Sequence, residues 1–294
     1  MTILVTGGAG FIGGKLIERL LGQGHQIISI DKKPLNIQGV EHIIHDISIP
    51  IEKLDHRIDV IYHIAAQSGG YYSLANSYQD CMDNSAGTHN IVKLAQKLRV
   101  SKFIYTSSMA VYGNGLDKTE QDLPNPISFY GASKLSGEYY TTLLKEHNNI
   151  PYTIFRLFAT YGPGQDFSNK HQGILSIYLD QALRGDNISI TGSPTRVRQL
   201  VHVEDVINAL LIPLTSSKTD NQLYNVLHEQ SLTPQLIIDE ISRILGKKLH
   251  INELQGYVGD QTLITGTNSK LNSLGWTPQY NLEQGIQEWV NLVN

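Results

Sequence analysis

Residues 2 to 14 read TILVTGGAGFIGG, an apolar stretch with strand character that runs straight into five glycines between positions 7 and 14. Glycine inside a helix or strand costs roughly 0.5–1 kcal/mol relative to alanine. Such a cluster is tolerated where the backbone must go somewhere a side chain would block. Gly8, Gly10 and Gly13 fit the spacing G-x-G-x-x-G, and Gly7, Gly10 and Gly13 fit the related G-x-x-G-x-x-G. Between a strand and a helix, these glycines give a tight turn, close backbone approach to a diphosphate and close packing of helix on strand. The first N–H groups of the helix then face that anion. Gly7, Gly10, Phe11, Ile12 and Gly13 are the expected cradle.

Asp31 closes the second strand-like run, QIISI, and lies 18 positions beyond Gly13. An acid there accepts hydrogen bonds from a ribose and repels a 2′-phosphate, which favours NAD over NADP. Lys32 and Lys33 beside it pull the other way, since a lysine can pair with that phosphate. A glycine-rich turn with no ligand is the competing reading, and Asp31 argues against it.

Apolar runs recur at 3–6, 26–30, 40–46, 59–65, 102–108 and 152–158, with helix-length segments at Phe11–Gly22, Tyr78–Leu98 and Tyr130–Asn148. Strand alternating with helix predicts an α/β fold, a Rossmann-type doubly wound parallel sheet with helices on both faces. The rhythm breaks near YGPGQD. Beyond it, helical patches at 174–184, 203–214, 233–245 and 282–292 mix with short strands in NISI, LYNV and KLHI. That pattern predicts a smaller mixed α/β C-terminal substrate lobe. The expected division is 1–160 for the nucleotide-binding domain, to which later segments could return, and 161–294 mainly for the lobe.

A formal net charge of −4 with no basic block argues against nucleic acid as a partner. The single cysteine, Cys81, excludes a disulfide framework within the chain and reads as a packing residue. No apolar run reaches the length of a membrane span and the first residues lack signal-peptide character, so no membrane partner and a cytoplasmic location are expected. His42 and His45 stand three apart on a strand and so point to opposite faces, which argues against a metal site.

SFYGASK places Tyr130 and Lys134 one helical turn apart on one face. An ammonium there favours the phenolate and is expected to lower the tyrosine pKa from about 10. The spacing alone is weak evidence; its position after the fifth strand, which ends in YTSSMAVYG, gives it weight. The ordered segments TGGAGFIG, Asp31, HIAAQ, NSAGTHN, SSMAVYG, YGASK, RLFATYGPGQ, RQLVHVEDV and LGWTPQYNLEQGI resemble the extended short-chain dehydrogenase/reductase family. More narrowly, they resemble its NAD-dependent nucleotide-sugar epimerase/dehydratase branch, of the UDP-glucose 4-epimerase type.

The resemblance implies roles. Tyr130 would be the proton-transferring base, Lys134 would hold the nicotinamide ribose, and Ser108 would hydrogen-bond the same sugar oxygen as Tyr130. Asp46 and Ile47 would flank the adenine. Ala65, Ala66 and Asn84 would line the cofactor channel, with Phe158 at the nicotinamide end. Arg198 would clamp the diphosphate of a nucleotide-sugar substrate, a task suited to a forked guanidinium. A homodimer through the segments Tyr78–Leu98 and Tyr130–Asn148 is also implied.

Family dehydratases carry an Asp-Glu pair just after the Ser108 position, where this chain has Met109 and Ala110. Related decarboxylases have glutamate at the second of these, and 3,5-epimerases use a cysteine in this strand. The remaining Ser, Tyr and Lys suit 4-epimerisation. The alternatives are reduction of a 4-keto nucleotide-sugar by NAD(P)H and a non-catalytic, dinucleotide-sensing role. Ala159, Gln199 and Tyr257 depart from the family's pattern, so the sugar and base stay open.

Overall fold

The computed structural model describes residues 1–169 and 173–293. The chain runs β1 (Thr2–Thr6), α1 (Phe11–Gly22), β2 (Gln26–Asp31), β3 (Val40–Ile44), β4 (Val60–His63), α2 (Gly70–Ala75), α3 (Ser77–Asp80), a π-helical turn (Cys81–Ala86) and α4 (Gly87–Leu98). Next come β5 (Lys102–Ser108), β6 (Gly115–Lys118), α5 (Phe129–Asn148), β7 (Tyr152–Leu157), β8 (Ala159–Tyr161), α6 (Ile174–Arg184), β9 (Asn187–Thr191) and β10 (Arg198–His202). It closes with α7 (Val203–Thr215), β11 (Gln222–Val226), β12 (Ser231–Leu232), α8 (Pro234–Leu245), β13 (His250–Leu254), β14 (Ile264–Gly266), α9 (Ser269–Asn272) and α10 (Leu282–Val293).

Seven strands form one parallel sheet in the order β11-β7-β5-β4-β1-β2-β3. Its inner strands, such as β1, β4, β5 and β7, are buried on both faces, whereas the edge strand β3 is partly exposed. Alternate side chains of β1 feed two cores. Ile3 and Val5 pack with Leu16, Ile17 and Leu20 of α1 and Val206 and Leu210 of α7. Leu4 packs with Ile91 and Leu94 of α4 and Leu144 of α5 on the other face. Strand order reverses between β1 and β4, and a crevice opens outside the carboxyl ends of strands at such a switch point. The first glycine of the cluster lies there.

The doubly wound sheet expected from the sequence is present. The smaller region combines the sheets β12-β10-β8 and β13-β9 with α6, α8 and α10. Leu175, Leu179, Ile188, Ile237, Ile286 and Trp289 form its own core. LYNV, read as a lobe strand, instead becomes β11, the edge strand beside β7. Its inward-facing Tyr224 and Val226 join the α1–α7 core, which draws the chain back across residue 160.

The segment Tyr78–Leu98 is helical but not uniform. Its π-helical turn places Asp83 and Asn84 side by side on the buried face. Cys81, in that turn, is exposed rather than packed. His42 and His45 hydrogen-bond separate backbone carbonyls, of Lys33 and Ile49. No cluster of potential metal ligands occurs among the described residues. No described helix is long and apolar enough to cross a membrane.

Candidate active site

The glycine cluster builds one end of a cleft of about 1790 Å³. Gly7 has φ +78°, and a Cβ there would sit 2.6 Å from the backbone nitrogen of Ala65, just beyond β4. A Cβ on Gly13 would lie 2.0 Å from the carbonyl oxygen of Gly7. Of the two spacings, the 7/10/13 set therefore makes the tight backbone contacts. Gly10 is the N-cap of α1, no side chain caps that end, and no acid occupies its first turn. The first amides of α1 and the positive end of its dipole are thus open to an anion.

Asp31 ends β2 across from this turn. Its carboxylate accepts the Ala9 N–H at 3.1 Å and the Lys33 N–H at 2.9 Å, so it also braces the glycine loop. Lys32 Nζ lies 3.2 Å from Asp83 Oδ2, an ion pair that offsets the lysine beside Asp31. Lys32, Asp46, Ile47, Ala65 and Ala66 line the same wall. Asn84 does not. It is buried behind the wall, its amide donating to Gln67 O, Asp80 Oδ1 and Ser133 Oγ at 3.0–3.1 Å. A backbone cradle, an open helix end and an acid at the ribose position fit a dinucleotide such as NAD.

Ser108, Tyr130, Lys134 and Phe158 line the middle of the cleft. Ser108 ends β5, and its Oγ accepts the Ala110 N–H at 3.2 Å, which fixes the side chain. The Ser128 hydroxyl caps α5 by accepting the Gly131 N–H at 3.1 Å, and Tyr130 and Lys134 follow on the first turns. Burial pushes the Tyr130 phenol up to about 12; Ser108 favours the ionised form and the Asp80 charge opposes it. Burial likewise draws Lys134 down to about 7, against the charges of Glu138 and Asp80. The expected lowering of the tyrosine pKa by its lysine neighbour is not found. Desolvation dominates instead, because both groups sit in a wall closed from behind by β4 and β5.

That backing is polar and paired. Arg156 of β7 makes a bidentate pair with Glu138 at 2.8 and 2.7 Å, and the Ser107 hydroxyl donates to the same carboxylate at 2.5 Å. His63 is wholly buried between the Thr6 and Thr88 hydroxyls, and burial holds its pKa down to about 3. Glu138 was missed in the sequence, although Tyr130, Lys134 and Glu138 repeat every fourth residue and so share one helix face.

The far end of the cleft is cationic. Arg196 Nη1 and Arg198 Nη2 share the Asp260 carboxylate at 2.9 and 3.2 Å. Burial, then the adjacent Arg196, holds Arg198 down to about 10. Two guanidiniums against one carboxylate leave a net positive charge facing the cleft. Arg196 was also missed, though spacing of two along an extended chain places it on the same side as Arg198. At about 1790 Å³ the cleft exceeds the ~300–1,000 Å³ typical of one small-ligand pocket, leaving room for a dinucleotide and a second nucleotide.

Residues 3–226 match the model of the NAD dependent epimerase/dehydratase family. A putative UDP-glucose 4-epimerase of Methanocaldococcus jannaschii is 32% identical over 301 residues, covering 98% of this chain and 97% of that protein. The human dTDP-D-glucose 4,6-dehydratase is 28% identical, over 98% of this chain and 88% of its own length. The crystal structure of the Thermotoga maritima UDP-glucose 4-epimerase with UDP-glucose superposes with a TM-score of 0.92 at 28% identity, covering 100% and 98% of the two chains.

Proposed function

Because this chain belongs to the NAD-dependent epimerase/dehydratase family, we propose that it is a nucleotide-sugar 4-epimerase of the UDP-glucose 4-epimerase type. Gly7, Gly10, Phe11, Ile12, Gly13, Asp31, Lys32, Asp46, Ile47, Ala65, Ala66 and Phe158 would hold NAD along the cleft, with Asn84 bracing that wall from behind. When bound, NAD supplies reversible oxidation of the sugar at C4.

Tyr130 takes the proton of the 4-hydroxyl and returns it after the keto sugar has turned its other face. Ser108 holds the same oxygen, so charge developing there meets a fixed donor. Lys134, one turn along α5, carries the positive charge that a phenolate at Tyr130 requires. Arg198, with Arg196 beside it, holds the diphosphate of the nucleotide-sugar. The observation that carries this reading is the pair Met109 and Ala110 next to Ser108. Neither can move a proton, so the site has the groups for oxidation and return at C4 and lacks the acids that family dehydratases use there.

The test is a panel of UDP-, dTDP-, GDP- and CDP-sugars with product stereochemistry read by NMR. Interconversion of one C4 pair without net formation of NADH is expected. Stoichiometric consumption of NADH with a 4-keto sugar, and no interconversion of the 4-hydroxy sugars, would establish the reductase instead. We also propose a homodimer through the α3–α4 segment and α5, on which Tyr78, Tyr139 and Leu143 are exposed. Light scattering should give twice the chain mass; a monomer at micromolar concentration refutes it.

A further inference from the structure

Asp80, the last residue of α3, is fully buried although it carries no cation partner among the described residues. Its Oδ1 accepts from Asn84 Nδ2 at 3.1 Å, and its Oδ2 has no hydrogen-bond partner among the described residues. The same Asn84 amide reaches Ser133 Oγ at 3.1 Å, and the Ser133 hydroxyl donates to the carbonyl of Tyr130 at 3.0 Å. The acid is thus tied to the first turn of α5, behind Tyr130 and Lys134. Burial pushes the Asp80 carboxyl up, and Asp83 of the π-helical turn adds to this, while Ser133 and the Lys134 charge favour its ionised form.

We propose that Asp80 is a positioning residue for the reaction, a buried negative charge that, together with Glu138, keeps Lys134 an ammonium ion beside Tyr130. The proposal rests on the reading of Tyr130 and Lys134 as the reacting pair. Two carboxylates favour the charged form of Lys134, Glu138 first and then Asp80, and they differ in what else they are bound to. From its own helix, Glu138 faces Lys134, but that carboxylate is committed to Arg156 of β7 and to Ser107. From β4, His63 is buried neutral between two threonine hydroxyls. From β5, the Tyr105 ring lies 4.5 Å from Lys134 Nζ, and burial pushes its phenol well above the ordinary range. Tyr130 is itself pushed up. Asp80, from α3, is the anion whose charge no guanidinium cancels, and its field acts on both Lys134 and Tyr130.

Removing a negative charge lowers the pKa of every group that feels it, cation and phenol alike. The test is Asp80→Asn, which keeps shape and loses charge, with Asp80→Glu as the variant that retains it. Protein loaded with NAD is prepared with isotope-labelled lysine side chains, and the Lys134 signal is identified by its loss in Lys134→Met. In Asp80→Asn the midpoint of that signal should fall by about one pH unit, the low end for loss of a nearby opposite charge. Asp80→Glu should leave it nearly in place.

Where a sugar substrate is turned over, the pH profile of kcat should move in the same direction, which a purely structural role would not produce. An unchanged midpoint in Asp80→Asn overturns the proposal. If that variant does not fold, the unmutated protein decides: on the acid side of neutrality Lys134 must give the signal of an ammonium ion, and an amine signal overturns the proposal. The titration needs no substrate, so a failure of the epimerase reading would show as absent turnover with the Lys134 result intact.

Discussion

Gly13→Ala places one methyl group where the structure has least room for it. The new Cβ would sit 2.0 Å from the Gly7 carbonyl oxygen and 3.0 Å from the Gly8 Cα. A carbon and an oxygen out of contact need roughly 3.2–3.5 Å, so turn and helix must separate by about 1 Å or more. The helix cannot yield, since Leu16, Ile17 and Leu20 anchor α1 in the core at 0% exposure. The turn shifts instead, and with it the amides that would hold the NAD diphosphate. A shift of that size lengthens an N–H···O contact past its useful range. Losing two charge-assisted hydrogen bonds at about 1.5–3 kcal/mol each corresponds to a loss of roughly a hundredfold to ten-thousandfold in affinity. Gly14→Ala is the matched control, because its Cβ would meet only the Gly8 carbonyl at an ordinary 3.5 Å. It should raise stability by up to about 1 kcal/mol through helix propensity and leave NAD affinity unchanged. Calorimetric titration with NAD reads both variants. An affinity for Gly13→Ala within about threefold of the parent would refute the backbone cradle.

Tyr130→Phe should keep NAD affinity and lower kcat by about a hundredfold or more, the loss expected when a general acid–base is removed; near-normal turnover would take the tyrosine out of the mechanism. Glu138→Gln leaves Arg156 buried beside an uncharged partner and should cost about 3–5 kcal/mol in urea unfolding. A loss below about 1 kcal/mol would mean the pair contributes little. His63 and His202 are buried neutral, held by burial to about 3 and about 4. Their contribution is fully present above the unfolded pKa of about 6.5 and is lost as pH falls toward the folded values, by roughly 2 kcal/mol each near pH 5. Unfolding midpoints that stay flat between neutral and mildly acidic pH would contradict that burial.

Local spacing made much of this site legible. Gly7 and Gly13 announce a strand–turn–helix because the contacts they relieve lie within a few residues of one another. Tyr130 and Lys134 share a helix face by periodicity alone. The groups that tune them arrive from far along the chain. Arg156 meets Glu138 only after β7 pairs with β5, Asp80 approaches through a π-helical turn with no sequence mark, and Asp260 reaches Arg196 across 64 positions. The direction of the tyrosine pKa shift is hidden from the sequence for the same reason. Spacing shows that an ammonium is near, but burial of both groups, which decides the sign, depends on the assembled sheet. LYNV reads as a lobe strand because an edge strand returning to a parallel sheet has the same apolar pattern as a strand that stays outside it.

The most direct test of the central claim follows the C4 hydrogen itself. A nucleotide-sugar deuterated at C4 is incubated with the NAD-loaded protein, and both epimers are recovered and examined by NMR and mass spectrometry. If Tyr130 moves the hydroxyl proton while the carbon-bound hydrogen leaves and returns within one bound complex, both epimers retain deuterium at C4. Loss of the label to water, or its appearance in free NADH without a second epimer, would contradict the account.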